Sequence, residues 1–143
     1  MKIMNRKYNI AIVISEFNNK VSEGLLLGAK EAFEMCNGFK LDIFRVPGAF
    51  EIASTAKKIA KELKPDAIVT LGAVIKGETK HFNFISSECT RAIQDLTLEF
   101  DIPIMFGVLT TNNIEQAIER STINNKGYEV MESAFKMLET NQL

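Results

Sequence analysis

The 143 residues carry 17 Lys and Arg against 18 Asp and Glu, a formal net charge of −1, so the chain lacks the concentrated positive field that nucleic acid or an anionic membrane surface demands. With 46% hydrophobic and 24% charged residues it lies in the globular range, far from disorder, and its length suits one domain over residues 1–143. No apolar run approaches the roughly 20 residues that span a bilayer, and residues 1–7 hold no signal-peptide core, which makes the cytoplasm the expected compartment.

Residues 9–15, Asn-Ile-Ala-Ile-Val-Ile-Ser, form a short β-branched run of the kind buried on both faces of a parallel sheet. Over residues 20–36, Val21, Leu25, Gly28, Ala29, Ala32 and Phe33 recur at steps of three and four, which predicts a helix stopped by Asn37-Gly38. A second strand over 41–46 ends at Pro47-Gly48. The following helix runs to about Leu63 and is broken by Pro65-Asp66. Residues 67–73 make a third strand, 82–100 a third helix, and 102–108 a fourth strand, with further helices over 114–120 and 126–139. Pro103 cannot donate to a ladder, which places the fourth strand at a sheet margin. Cys36 and Cys89 fall in separate helices without metal or redox spacing and read as reduced structural residues.

Strand and helix thus alternate through short connections, which predicts a three-layer α/β/α sandwich. Its four-stranded parallel sheet is given the flavodoxin-like order 2-1-3-4. Ligands of such sheets bind beyond the carboxyl ends of the strands. The segments there are Glu16-Phe17-Asn18, Pro47 to Glu51, Val74 to His81, and Leu109-Thr110-Thr111. Gly72 and Gly77 have phosphate-loop spacing, but Glu78-Thr79 stands where a nucleotide triphosphatase needs Lys followed by Ser or Thr; no G-x-G-x-x-G motif follows any strand, and the first strand end lacks a receiver's paired carboxylates. Gly77, Glu78 and Thr79 precede a helix whose free N–H groups and dipole can hold a phosphate, although any capped helix start looks the same. His81, the one histidine, falls at that helix start, and an imidazole donates and accepts protons near neutral pH. Phe17 and Phe50 suit either a core or a surface on which a flat heterocycle stacks.

Several segments resemble the 6,7-dimethyl-8-ribityllumazine synthase family: Phe17-Asn18, Val46 to Ile52, Leu71 to Phe82, Phe106 to Thr110 and Ile114 to Arg120. The resemblance runs unbroken over nearly the whole chain. It implies condensation of 5-amino-6-(D-ribitylamino)uracil with 3,4-dihydroxy-2-butanone 4-phosphate, without cofactor or metal. It further implies that Phe17 stacks on the pyrimidine, that Ala49, Phe50 and Glu51 hold the ribityl chain, and that Ala73, Val74 and Ile75 hold the pyrimidine. Glu78 and Thr79 would meet the phosphate and His81 would transfer protons. Phe106 and the phosphate-binding Arg120 would be lent by a neighbouring subunit, with Lys126 and Glu129 at polar positions nearby.

Three departures from the family stand out: Ala53 replaces a common Pro, Asn83-Phe84 replaces a frequent acid-aromatic pair, and the loop over residues 120–127 is shorter than the usual version, lacking that version's Gly residues and one of its Lys. In the family that loop helps decide assembly, and the expectation is a homopentamer, free or built into a sixty-subunit shell. Two competing readings use the same loops: a flavin- or lumazine-binding module without catalysis, and a shell protein with a vestigial pocket.

Overall fold

The computed structural model describes residues 6–142; residues 1–5, most of the stretch inspected for a signal peptide, lie outside them. Strand β1 (Asn9–Ser15) is buried at every position but the first, as a strand covered on both faces must be. Chain order continues with α1 (Asn19–Met35), β2 (Lys40–Val46), a 3-10 turn (Ala49–Glu51) and α2 (Ile52–Glu62). Then come β3 (Ala67–Ile75), α3 (His81–Glu99), β4 (Ile104–Thr111), α4 (Ile114–Arg120) and α5 (Lys126–Thr140).

All strand pairs are parallel and the order is β2-β1-β3-β4, the order expected from the sequence. One face of the sheet packs Ile10, Ile12, Ile14, Val69 and Leu71 against Leu25 of α1 and Met131 of α5, with Ala117 of α4 in the same layer. The other face packs Ala11, Val13 and Ile68 against Ile52 and Ile59 of α2 and Ile93 of α3. Side chains alternate between these layers because successive strand residues point to opposite faces.

The third and fourth strands extend further than their apolar runs suggest. Ala73, Val74 and Ile75 pair with Leu109, Thr110 and Thr111, so the segment read as a loop after strand four is ladder. Thr110 and Thr111 look polar in sequence, but β-branched residues suit a strand once a partner accepts their backbone. Strand four starts at Ile104, two residues late, because Pro103 supplies no N–H; its carbonyl still accepts from Ile68 N at 2.8 Å.

Helices α1 and α5 approach closely where they cross. A Cβ at Gly127 would sit 2.0 Å from the Leu25 carbonyl oxygen, and one at Gly28 would sit 2.2 Å from the Asn125 amide. Asn125 bolts this junction: its Nδ2 donates to Gly24 O (2.9 Å) and Ser121 O (3.0 Å), while its Oδ1 accepts from Tyr128 N (3.1 Å).

Candidate active site

Because all four strands run the same way, the connections leaving their carboxyl ends gather on one side of the molecule. A cavity of about 610 Å³ opens there, lined by Phe17 and Asn18, by Gly48 to Glu51, by Ala73 to Ile75, and by Gly77, Thr79, His81, Phe82 and Ile85.

The β1–α1 turn is held against the turn after β2 by continued ladder bonds, Glu16 N to Val46 O at 2.8 Å and Phe17 N to Pro47 O at 3.1 Å. Asn18 then adopts φ 62°, ψ 54°, a left-handed conformation that Asn tolerates better than most residues. Its Nδ2 donates to the Ala73 carbonyl at 3.3 Å. The Phe17 ring beside it is 70% exposed.

After β2, Gly48 N donates to Glu51 Oε1 at 2.9 Å, so the carboxylate folds back over its own turn, as in a capping box. Ala49 is buried, whereas Phe50, which lines the same cavity as Phe17, is 68% exposed. Ala73 and Val74 are buried and Ile75 half-buried, giving a largely apolar wall at the end of β3.

The loop over residues 76–80 is exposed and delivers the start of α3, where His81 N donates to Thr79 Oγ1 at 3.3 Å. A 19-residue helix begins here, so the positive end of its dipole faces the same rim as the imidazole. Phe82 and Ile85 also line the cavity; the step from His81 to Ile85 is one helical turn, which was the available sequence signal for the latter.

Nine of the twelve expected site residues therefore meet in one place: Phe17, Ala49, Phe50, Glu51, Ala73, Val74, Ile75, Thr79 and His81. Glu78 is exposed in the loop between two lining residues without lining the cavity itself. Phe106 is half-buried on β4 opposite Thr70. Arg120 ends α4, whose Ala117 packs in the α1/α5 layer, whereas the cavity's Phe82 and Ile85 pack in the α2/α3 layer. Lys126 Nζ and Glu129 Oε1 pair 3.1 Å apart at the start of α5. None of these four residues reaches the cavity of its own chain. Gly77, read with Glu78 and Thr79 as part of the helix start, lines it too, and Asn18, Gly48, Phe82 and Ile85 line it without having been given a role.

Both cysteines are free. Burial pushes the Cys89 thiol up to about 11, leaving it protonated at neutral pH and a poor nucleophile. Among the described residues no three His, Cys, Asp or Glu side chains form a cluster able to hold a metal, and no helix is long and apolar enough to cross a membrane. The lining thus brings together exposed phenyl side chains, an apolar stretch of β3, a carboxylate, one imidazole and a helix start.

A family model described as 6,7-dimethyl-8-ribityllumazine synthase matches residues 7–142. Curated proteins of that name are similar over most of their length. One from Chlorobium phaeovibrioides is 46% identical over 133 residues, covering 90% of this chain and 86% of the relative. One from Campylobacter jejuni subsp. doylei is 45% identical, covering 96% of each. A third, from Helicobacter hepaticus, is 44% identical, covering 90% and 85%.

Proposed function

The chain belongs to the 6,7-dimethyl-8-ribityllumazine synthase family, and we propose that the cavity at the strand ends is where it carries out that synthesis. The enzyme condenses 5-amino-6-(D-ribitylamino)uracil with 3,4-dihydroxy-2-butanone 4-phosphate to give the lumazine, phosphate and water, in riboflavin biosynthesis. The observation that carries the site assignment is the meeting of Phe17, Glu51 and His81 around one cavity although they lie on three separate connections.

Phe17 stacks on the pyrimidine, and Ala73, Val74 and Ile75 present backbone polar groups to its edge. Ala49, Phe50 and Glu51 receive the ribityl chain, and Glu78-Thr79 lie at the phosphate beside the α3 start. The amine attacks the ketone and water leaves as the imine forms; phosphate departs as a double bond migrates; the second nitrogen closes the ring with loss of water. Each step moves a proton. His81 serves them by alternating between base and acid, a role worth typically ~10²–10⁴-fold. Holding two small molecules in reactive geometry supplies a further barrier reduction of as much as roughly 7–11 kcal/mol.

The working form we propose is a cytoplasmic homopentamer, free or built into a sixty-subunit shell. Its small-molecule sites lie between subunits, and the neighbour contributes Phe106 and Arg120. Neither residue lines the chain's own cavity, and the lining holds no Lys or Arg to add to the helix start at a phosphate, which supports a cation supplied from a neighbour. A guanidinium grips phosphate through paired charge-assisted hydrogen bonds. Mixing the two purified substrates with the protein and following lumazine absorbance tests the assignment. Turnover reduced by substitution of Phe17, Glu51 or His81 is expected; turnover indifferent to all three overturns it.

A further inference from the structure

Three helices carry Asn at the N-cap, and one of them breaks the pattern. Asn113 and Asn125 have extended backbones, and their side chains accept from Gln116 N and Tyr128 N to cap α4 and α5, the ordinary use of an N-cap Asn. Asn18 heads α1 with left-handed backbone and makes no side-chain cap. The other left-handed residues, Asn37 and Lys64, follow the ends of α1 and α2, where this conformation ordinarily terminates helices.

What Asn18 does instead is join two walls of the cavity. Pairing of β1 with β3 ends at Ile14 and Leu71, two residues short of Ala73, so β1 offers no N–H to that carbonyl. The Asn18 amide supplies one, at 3.3 Å, acting as a substitute rung beyond the end of the ladder. Phe17 N is fixed on the other side by Pro47 O, and Asn18 O accepts from Val21 N and Ser22 N. The Phe17 ring has no aromatic neighbour among the described residues, so the backbone turn is what places the base of its side chain at the cavity.

We propose that Asn18 is a positioning residue that acts through Phe17: the left-handed turn and the bond to Ala73 aim the ring across the end of β3. The inference rests on the reading of Phe17 as the pyrimidine-stacking residue and deepens it. Gly accepts the same backbone conformation without the amide, so Asn18→Gly removes the rung alone, while Asn18→Ala also strains the turn.

Steady-state kinetics of the assembled enzyme test this with Asn18→Gly, Phe17→Ala and the double variant, alongside thermal unfolding. Asn18→Gly is expected to raise the KM for the pyrimidine about tenfold, the scale of one lost hydrogen bond. The KM for the butanone phosphate should change by less than about twofold, within the scatter of unrelated sites. The double variant is expected to match Phe17→Ala alone, because a residue acting through the ring has nothing left to aim. Fully additive effects, or Asn18→Gly that changes only the melting midpoint, overturn the proposal. Phe17→Ala with an unchanged pyrimidine KM overturns the stacking assignment itself, and the role of Asn18 with it.

Discussion

His81 begins α3 with its backbone N–H bonded to Thr79, so the imidazole and the helix's positive end share one rim. Substituting Ala removes the proton shuttle but leaves the cavity walls intact. Turnover of His81→Ala is therefore expected to fall by one to three powers of ten, roughly the contribution of a positioned acid-base group, with the folded state unchanged by circular dichroism. The role proposed for Arg120 is different, a ground-state grip on phosphate. For Arg120→Ala, steady-state kinetics are expected to show a raised KM for the phosphorylated substrate before any loss of kcat; a change confined to the pyrimidine KM would remove Arg120 from the phosphate. At this scale His81 was legible because it is the chain's one histidine, at a strand end. The role of Asn18 was not, because the sign of its φ angle and its bond to Ala73 depend on where β3 stops relative to β1.

Among the elements, the junction of α1, the α4 end and α5 is held by Asn125, whose side chain makes bonds to Gly24, Ser121 and Tyr128. Asn125→Ala breaks all three and leaves the α5 start without its cap. It is expected to cost about 2–4 kcal/mol, summing typical hydrogen-bond and cap contributions, measurable as a lower midpoint in urea unfolding with an unchanged m value. The element order could be read from periodicity because each amphipathic helix and each apolar run has its own period. The ends of β3 and β4 could not: Thr110 and Thr111 read as loop residues until Val74 and Ile75 are seen beside them. The α1–α5 contact was likewise silent, since Gly28 and Gly127 show their purpose only when the opposing Asn125 amide and Leu25 carbonyl are in place.

For the whole molecule, Arg120 does not line the cavity of its own chain, and on the proposed reading that makes assembly a catalytic matter. In the proposed ring of head-to-tail contacts, each site would take His81 from one subunit and Arg120 from the next. Co-refolding His81→Ala with Arg120→Ala in equal amounts, assayed at butanone phosphate concentrations well below the KM of Arg120→Ala, should therefore recover about a quarter of wild-type activity, as random placement around such a ring rebuilds that share of the sites. Recovery no greater than the sum of the separate variants would assign both groups to one chain. Sedimentation is expected to return five chains or a multiple of five. The two phenyl rings left in water at the cavity mouth, Phe17 at 70% and Phe50 at 68% exposure, carry a last implication. An occupant that covers them binds the folded chain and not the unfolded one, so the melting temperature should climb with the logarithm of ligand concentration. A variant weakened elsewhere would then be sheltered by its own substrate, and the amount of surviving catalyst in a cell would follow the supply of pyrimidine.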